Sequence, residues 1–126
     1  MIDNAFQTQP LVFVVDDEPE IAKMLAVVLQ MNLYNAVPYF GSAEALAAAR
    51  ETPPDYLISD IGIPEMNGIE LAISMQRELA QCKVLLFSGQ IDAVEMVERA
   101  KEDGHRFELL VKPVHPKDLI ATLQKL

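Results

Sequence analysis

The chain has 126 residues, 51% of them hydrophobic and 23% charged, which reads as one globular domain able to bury a single core. Its net charge of -9 lacks the basic face that nucleic acid requires, so no direct nucleic-acid contact is expected. The single cysteine excludes an internal disulfide, and no apolar run approaches the ~18 residues of a membrane helix.

Met1-Ile2-Asp3-Asn4 lacks a basic stretch followed by an apolar one, so no secretory leader is visible. One cysteine fits a reducing compartment, and a cytoplasmic location is expected. Residues 1–9 read as a polar, flexible lead-in. Leu11-Val12-Phe13-Val14-Val15 is continuously apolar, as in a strand covered on both faces. Asp16-Asp17-Glu18 follows, and Pro19 suits the first turn of a helix carrying Ile21, Met24, Leu25, Val28 and Leu29 at helical spacing. Asn35 to Tyr39 is a weaker strand, and Pro38 favours an edge because it cannot donate to a ladder.

Gly41-Ser42 reads as a turn and N-cap before an Ala-rich helix over Ala43 to Arg50, stopped by Pro53-Pro54. Tyr56-Leu57-Ile58-Ser59-Asp60 is a third strand ending in a carboxylate. A loop with Pro64 and Gly68 leads into a helix with Ile69, Ala72, Ile73 and Leu79 inward. Cys82 precedes the fourth strand, Lys83 to Phe87, and reads as a packed, reduced thiol. Ser88-Gly89 closes that strand, and a helix from about Asp92 to Asp103 places Val94, Val97 and Ala100 on one side. Gly104 ends it. Phe107 to Val111 is a fifth strand ending at Lys112-Pro113, and a last helix from about Pro116 buries Leu119, Ile120 and Leu123. Five strand–helix alternations predict a doubly wound α/β fold with a five-stranded parallel sheet and helices on both faces.

Four strands end in reactive groups: Asp16 and Asp17, Asp60, Ser88, and Lys112. In a flavodoxin-like strand order of 2-1-3-4-5 those four strands are contiguous, and the acidic groups meet at the switch point between the first and third. Three carboxylates in one crevice call for a cation, and oxygen ligands favour Mg²⁺, with Mn²⁺ a substitute. With an ammonium and a hydroxyl nearby, the set suits phosphoryl transfer to a carboxylate. Taken singly, each of these residues is commonly a cap, a turn residue or a solvated charge. Their joint placement at successive strand ends is what carries the reading.

From Leu11 onward the chain resembles the receiver domains of two-component response regulators, the chemotaxis-regulator type included. The resemblance rests on Asp16-Asp17, Asp60 with Pro64 and Gly68, Ser88-Gly89 and Lys112-Pro113. It implies that Asp60 is the phosphoacceptor. Asp17, Asp60 and the Gly62 carbonyl would hold Mg²⁺, with Asp16 acting through water. Lys112 and Ser88 would bind the phosphoryl group, and the bond before Pro113 would be cis. The implied phosphodonor is a sensor histidine kinase or a histidine phosphotransfer protein. The implied output is a downstream protein, or a phosphorylation-dependent homodimer, on the face of the fourth helix, fifth strand and fifth helix. No membrane contact is expected. The single domain is expected to span 1–126 without an output domain, standing alone or cut from a longer chain.

Two positions depart from the family. Leu109 stands where an aromatic switch residue is common, with Phe107 nearby in a slightly lengthened segment, Gly104-His105-Arg106. Gly62 offers no side chain to shield the phosphoryl group, and with Gln90 it is expected to set phosphoryl lifetime, leaving the site open to water or a phosphatase. His105 and His115 have no ligand partners at metal spacing and are assigned surface roles. Met24, Met31, Met66, Met75 and Met96 are assigned to packing. Three other readings fit the residues less well. A haloacid-dehalogenase-like phosphatase places its two acids one residue apart after the first strand, unlike the adjacent pair here. A dinucleotide enzyme needs a glycine-rich turn after that strand. A docking module that works without phosphorylation would not need a complete acceptor set. The chain is therefore expected to signal rather than to turn over a substrate.

Overall fold

A computed structural model describes residues 9–126, so the lead-in expected over 1–9 lies outside the described residues but for Gln9. The elements run β1 (Leu11–Val15), α1 (Pro19–Gln30), β2 (Asn35–Tyr39), α2 (Ser42–Glu51), β3 (Tyr56–Asp60), α3 (Gly68–Glu78), β4 (Lys83–Ser88), α4 (Ala93–Glu102), β5 (Glu108–Val111) and α5 (Pro116–Lys125). All four strand pairings are parallel, and the order is β2-β1-β3-β4-β5. The fold is the flavodoxin-like doubly wound sheet that the alternation predicts.

Alternation along each strand divides the core. On β1, Phe13 and Val15 join the cluster under α2, α3 and α4, whereas Val12 and Val14 join the cluster under α1 and α5. Both faces of the central strands are buried, which is why β1 and β4 read as unbroken apolar runs. Pro38 sits on the edge strand β2, where its missing N–H costs no ladder bond.

Local chemistry sets the helix starts nearest the site. Asn67 and Glu70 form a capping box for α3, each side chain accepting the other's backbone N–H at 2.9 Å. Pro19 and Pro116 occupy first-turn positions of α1 and α5. His115 caps α5, its Nδ1 accepting from Lys117 N–H at 3.2 Å, while His105 stacks on Phe107.

Several expectations need correcting. Gly41, not Ser42, is the N-cap of α2; the Ser42 hydroxyl donates to the Met66 carbonyl at 2.6 Å instead. Of the methionines, Met75 is buried but Met24 and Met31 face solvent. Val94 also faces solvent, and Ala93 with Ala100 makes the inner side of α4. Met96 and Val97 are partly buried against the same cluster. On α3, Leu71 and Met75 are buried, whereas Ile73 is only partly so. β5 begins at Glu108, one residue later than expected, with Phe107 already in the core.

Candidate functional site

The carboxyl ends of β1, β3 and β4, with the residue following β5, converge on one shallow crevice. Asp16 and Asp17 follow β1, Asp60 ends β3, Ser88 ends β4, and Lys112 follows β5. The register of the ladder brings them level, since Asp60 lies beside Phe87 and Ser88 beside Val111. The backbone continues these pairings past the strands. Asp16 N–H donates to the Tyr39 carbonyl at 3.1 Å and Lys112 N–H to the Ser88 carbonyl at 2.9 Å.

Asp16, Asp17 and Asp60 each present a carboxylate oxygen within 4.8 Å of the other two. Asp16 is fully buried and Asp60 nearly so, while Asp17 is exposed. Asp16 Oδ1 accepts from Glu18 N–H at 2.9 Å, but Oδ2 is buried with no hydrogen-bond partner. Lys112 Nζ stands 3.5 Å from Oδ2, within ion-pair reach but not aligned as a hydrogen bond. Burial pushes the Asp16 carboxyl above its ordinary range. The Glu18 N–H and Lys112 pull it down, Asp60 and Asp17 push it up, and the net is a raised pKa.

Lys112 Nζ donates to Asp60 Oδ2 at 3.1 Å and lies 5.2 Å from the centre of the Phe87 ring. Desolvation lowers the ammonium's pKa, but the hydrogen bond and charge of Asp60, with the charge of Asp16, outweigh it and hold the pKa above its ordinary value. Asp60 Oδ1 accepts from Gly62 N–H at 3.2 Å. Gly68 lets α3 start hard against the end of β3: a Cβ there would sit 2.2 Å from the Asp60 carbonyl oxygen.

Ser88 is buried, and its Oγ accepts from Gln90 N–H at 2.9 Å. The space a Cβ on Gly62 would enter borders the Gln90 carboxamide, with Nε2 at 3.5 Å and Oε1 at 3.9 Å. Gln90 thus partly fills the space that the sequence reading leaves open beside Gly62. The Lys112-Pro113 bond is cis. Leu109 packs into the α2–α4 cluster level with Leu86, and Phe107 is buried before β5 begins.

Two site features escape sequence reasoning. The Ser42–Met66 bond ties the start of α2 to the loop after Asp60 across 24 residues, and local spacing carries no sign of it. Glu65, in that same loop, adopts φ 70°, a conformation a glycine would have signalled. A groove of about 780 Å³ lies elsewhere, at the amino-terminal ends of β4 and β5 among Lys83, Lys101, Arg106, Glu98 and Glu108. Volume alone would point there; the converging carboxylates, lysine and serine do not.

A family profile described as the response regulator receiver domain matches residues 12–124, and the chain belongs to that family. It is a receiver module of the kind that two-component signalling systems use. Its relatives include the transcriptional regulatory protein KdpE of Mycobacterium tuberculosis, 32% identical over 114 residues, covering 90% of this chain and 49% of KdpE. The DNA-binding response regulator MtrA of Mycolicibacterium smegmatis is 28% identical, covering 90% of this chain and 48% of MtrA. The chain therefore spans about half the length of these curated relatives. Among solved structures, the chemotaxis protein CheY4 of Vibrio cholerae superposes with a TM-score of 0.83 at 28% identity, covering 94% of this chain and 98% of CheY4. No helix among the described residues is long and apolar enough to cross a membrane.

Proposed function

We propose that Asp60 accepts a phosphoryl group from a phosphohistidine on a sensor histidine kinase or a histidine phosphotransfer protein. The observation that carries this reading is the clustering of three carboxylate oxygens within 4.8 Å, with Lys112 Nζ 3.1 Å from Asp60 Oδ2. An Asp60 carboxylate oxygen forms the new bond to phosphorus as the bond to the donor imidazole nitrogen breaks. Gly62 N–H on Oδ1 and Lys112 on Oδ2 hold the carboxylate plane fixed for that attack. The lysine then balances charge on the phosphoryl oxygens.

The orphaned, buried Asp16 Oδ2 and the oxygen-only donor set fit a small hard cation. Asp17, Asp60 and the Gly62 carbonyl would hold Mg²⁺, or Mn²⁺ in its place, with Asp16 acting through water. Bound there, the ion supplies neutralisation of the charge gathered on the phosphoryl group.

Once Asp60 is modified, Ser88 and Lys112 turn to the new oxygens. The surface of α4, β5 and α5 then changes population and engages a downstream protein, or a second phosphorylated copy. The chain signals rather than turning over a substrate, binds no nucleic acid directly, and acts in the cytoplasm. Incubation with Mg²⁺ and a small phosphodonor, followed by intact-mass analysis, tests this. One phosphoryl adduct is expected, lost in Asp60→Ala and in EDTA. An adduct that persists in Asp60→Ala sinks the reading.

A further inference from the structure

Strand β2 ends without a reactive group, yet its exit reaches both loops that carry the acid cluster. The carbonyl of Tyr39, its last residue, accepts from Asp16 N–H at 3.1 Å, beside the acid pair after β1. A little further on, the Ser42 hydroxyl donates to the Met66 carbonyl at 2.6 Å, in the loop after Asp60. No side-chain hydrogen bond among the described residues is shorter. A hydroxyl at a helix start commonly serves its own helix as an acceptor. Ser42, the first residue of α2 and buried, donates to another segment instead.

That segment has few other ties. Ile61 N–H on the Phe87 carbonyl at 3.0 Å fixes its beginning, and the Asn67–Glu70 capping box fixes its end. Ile63 packs into the core, but Gly62, Pro64 and Glu65 are exposed. Among the described residues, the Ser42 bond alone links residues 63–66 by hydrogen bonding to anything outside β3, α3 and their own loop. A cleft of about 560 Å³ lies between this loop and the start of α2, with Asp17, Phe40, Pro64 and Glu65 among its walls. Glu65, just before Met66, holds φ 70° without being a glycine. Such a backbone persists only where neighbouring structure imposes it. The bond to the very next carbonyl is the contact placed to do so.

We infer that Ser42 is a positioning residue for the cation site, a strut by which the β2–α2 turn holds the β3–α3 loop in register with the acid pair. The inference rests on the Mg²⁺ reading above, which draws donors from two loops: Asp17 after β1 and the Gly62 carbonyl after β3, with Asp60 beside them. Mg²⁺ demands near-ideal octahedral geometry, so its donors tolerate little drift relative to one another. The strut spans the same two loops, from Asp16 N–H through Tyr39, Phe40 and Gly41 to Ser42 and the Met66 carbonyl. Ser42 acts only through the loop. Without its hydroxyl, the Met66 carbonyl loses its partner and the backbone at Glu65 is free to relax.

Isothermal titration of Mg²⁺ into the chain tests this in Ser42→Ala, Ser42→Thr and Gln76→Ala. Gln76 is the control, because its side chain also donates to a loop carbonyl, that of Cys82 at 2.9 Å, but at the opposite end of the sheet. Ser42→Ala should raise the Mg²⁺ dissociation constant about tenfold, the lower end of what losing an outer partner of a metal ligand costs. Ser42→Thr keeps the donor and should return most of the affinity, and Gln76→Ala should bind as the native chain does. Phosphoryl uptake by Ser42→Ala should be slow at limiting Mg²⁺ and native at saturating Mg²⁺. In metal-free protein, hydrogen exchange at the Ile63 and Gly68 amides, both held by the Ile61 carbonyl at 2.9 Å, should quicken in Ser42→Ala but not in Gln76→Ala. Far-UV circular dichroism checks that each variant is folded. An unchanged dissociation constant in Ser42→Ala, or an equal rise in Gln76→Ala, overturns the inference. A native chain that takes up no Mg²⁺ sinks the cation reading instead. Exchange then decides the strut: quickened Ile63 and Gly68 amides in Ser42→Ala support it, and native rates refute it.

Discussion

Replacing Asp16 with asparagine should stabilise the protein when no divalent metal is present. Asp60 has a carboxylate oxygen no more than 4.8 Å from one of Asp16, so at an effective dielectric of about 20 it repels Asp16 by at least about 3.5 kcal/mol. The exposed Asp17 acts mostly through water and adds about 1 kcal/mol. Lys112 at 3.5 Å returns about 4.7 kcal/mol of attraction at the same dielectric. These opposing effects nearly cancel, so burial of the charge decides the sign, in agreement with the raised pKa of Asp16. Asparagine keeps an acceptor for Glu18 N–H and carries no charge, and Lys112 retains Asp60 as its partner. A gain of about 1–2 kcal/mol is expected from urea midpoints in EDTA. Saturating Mg²⁺ at a hundredfold excess over Kd should add about 2.7 kcal/mol to the native protein and clearly less to the variant. The pH dependence has a definite sign. A carboxyl whose folded pKa is raised costs stability at neutral pH, and that cost is relieved as pH falls through the folded pKa toward the ordinary 3.8. The native protein in EDTA should therefore gain on Asp16→Asn in that acidic window. A variant less stable than native in EDTA at pH 7, or equally responsive to Mg²⁺, refutes the reasoning.

Three further outcomes follow from the geometry. Gly68→Ala forces a Cβ to within 2.2 Å of the Asp60 carbonyl oxygen, so the unfolding free energy from urea titration should fall by about 2–3 kcal/mol and phosphoryl uptake should slow; a loss well under about 1 kcal/mol would show that α3 can slide. Burial pushes the Cys82 thiol to about 12 from its ordinary 9.0, so iodoacetamide at about pH 8 should label it only once urea unfolds the chain. The unfolded thiol ionises first, so this group erodes stability as pH rises from 9.0 toward about 12, and Cys82→Ala should show a shallower alkaline decline. Glu65→Gly should relieve a φ of 70° and raise the unfolding free energy by about 1 kcal/mol, measured by urea titration; a lower value would mean that the loop favours this conformation for another reason.

The strand order was partly legible because the chemistry stands at the ends of four strands that this order makes contiguous. Asp16, Asp60, Ser88 and Lys112 end or follow β1, β3, β4 and β5, and the bare end of β2 is the strand displaced to the edge. Period and punctuation located the helices to within a residue or two, since Pro19, Pro53 and Gly104 act locally. Side-chain direction was harder. Met24, Met31 and Val94 fit a helical period yet face solvent, because α1 fills its inner face with alanine and leucine and α4 fills its own with Ala93, Ala100 and the partly buried Met96 and Val97. Ser42 looked like a cap for the same local reason, and only the tertiary approach of the loop at Met66 reveals where its hydroxyl goes.

A leucine at position 109 leaves open how a change at Asp60 reaches α4, and the contacts suggest a route through backbone. Lys112 Nζ holds Asp60, and Lys112 N–H holds the Ser88 carbonyl. Ser88 Oγ accepts from Gln90 N–H, and the Gln90 carbonyl accepts from Ala93 N–H at 3.3 Å at the start of α4. A phosphoryl group on Asp60 would compete for the Ser88 hydroxyl as donor and draw it off Gln90. That N–H, at an exposed residue, would then be left to water, and the first turn of α4 would lose its nearest anchor. An aromatic at position 109 is not needed for this step, which runs through backbone groups while Leu109 packs against the α2–α4 cluster. The expected signature is faster hydrogen exchange at the Gln90 amide in the phosphorylated protein, with the amides of β1 unchanged. Equal exchange at Gln90 in both states would break the route at its middle link and return the search to the side chains of β5.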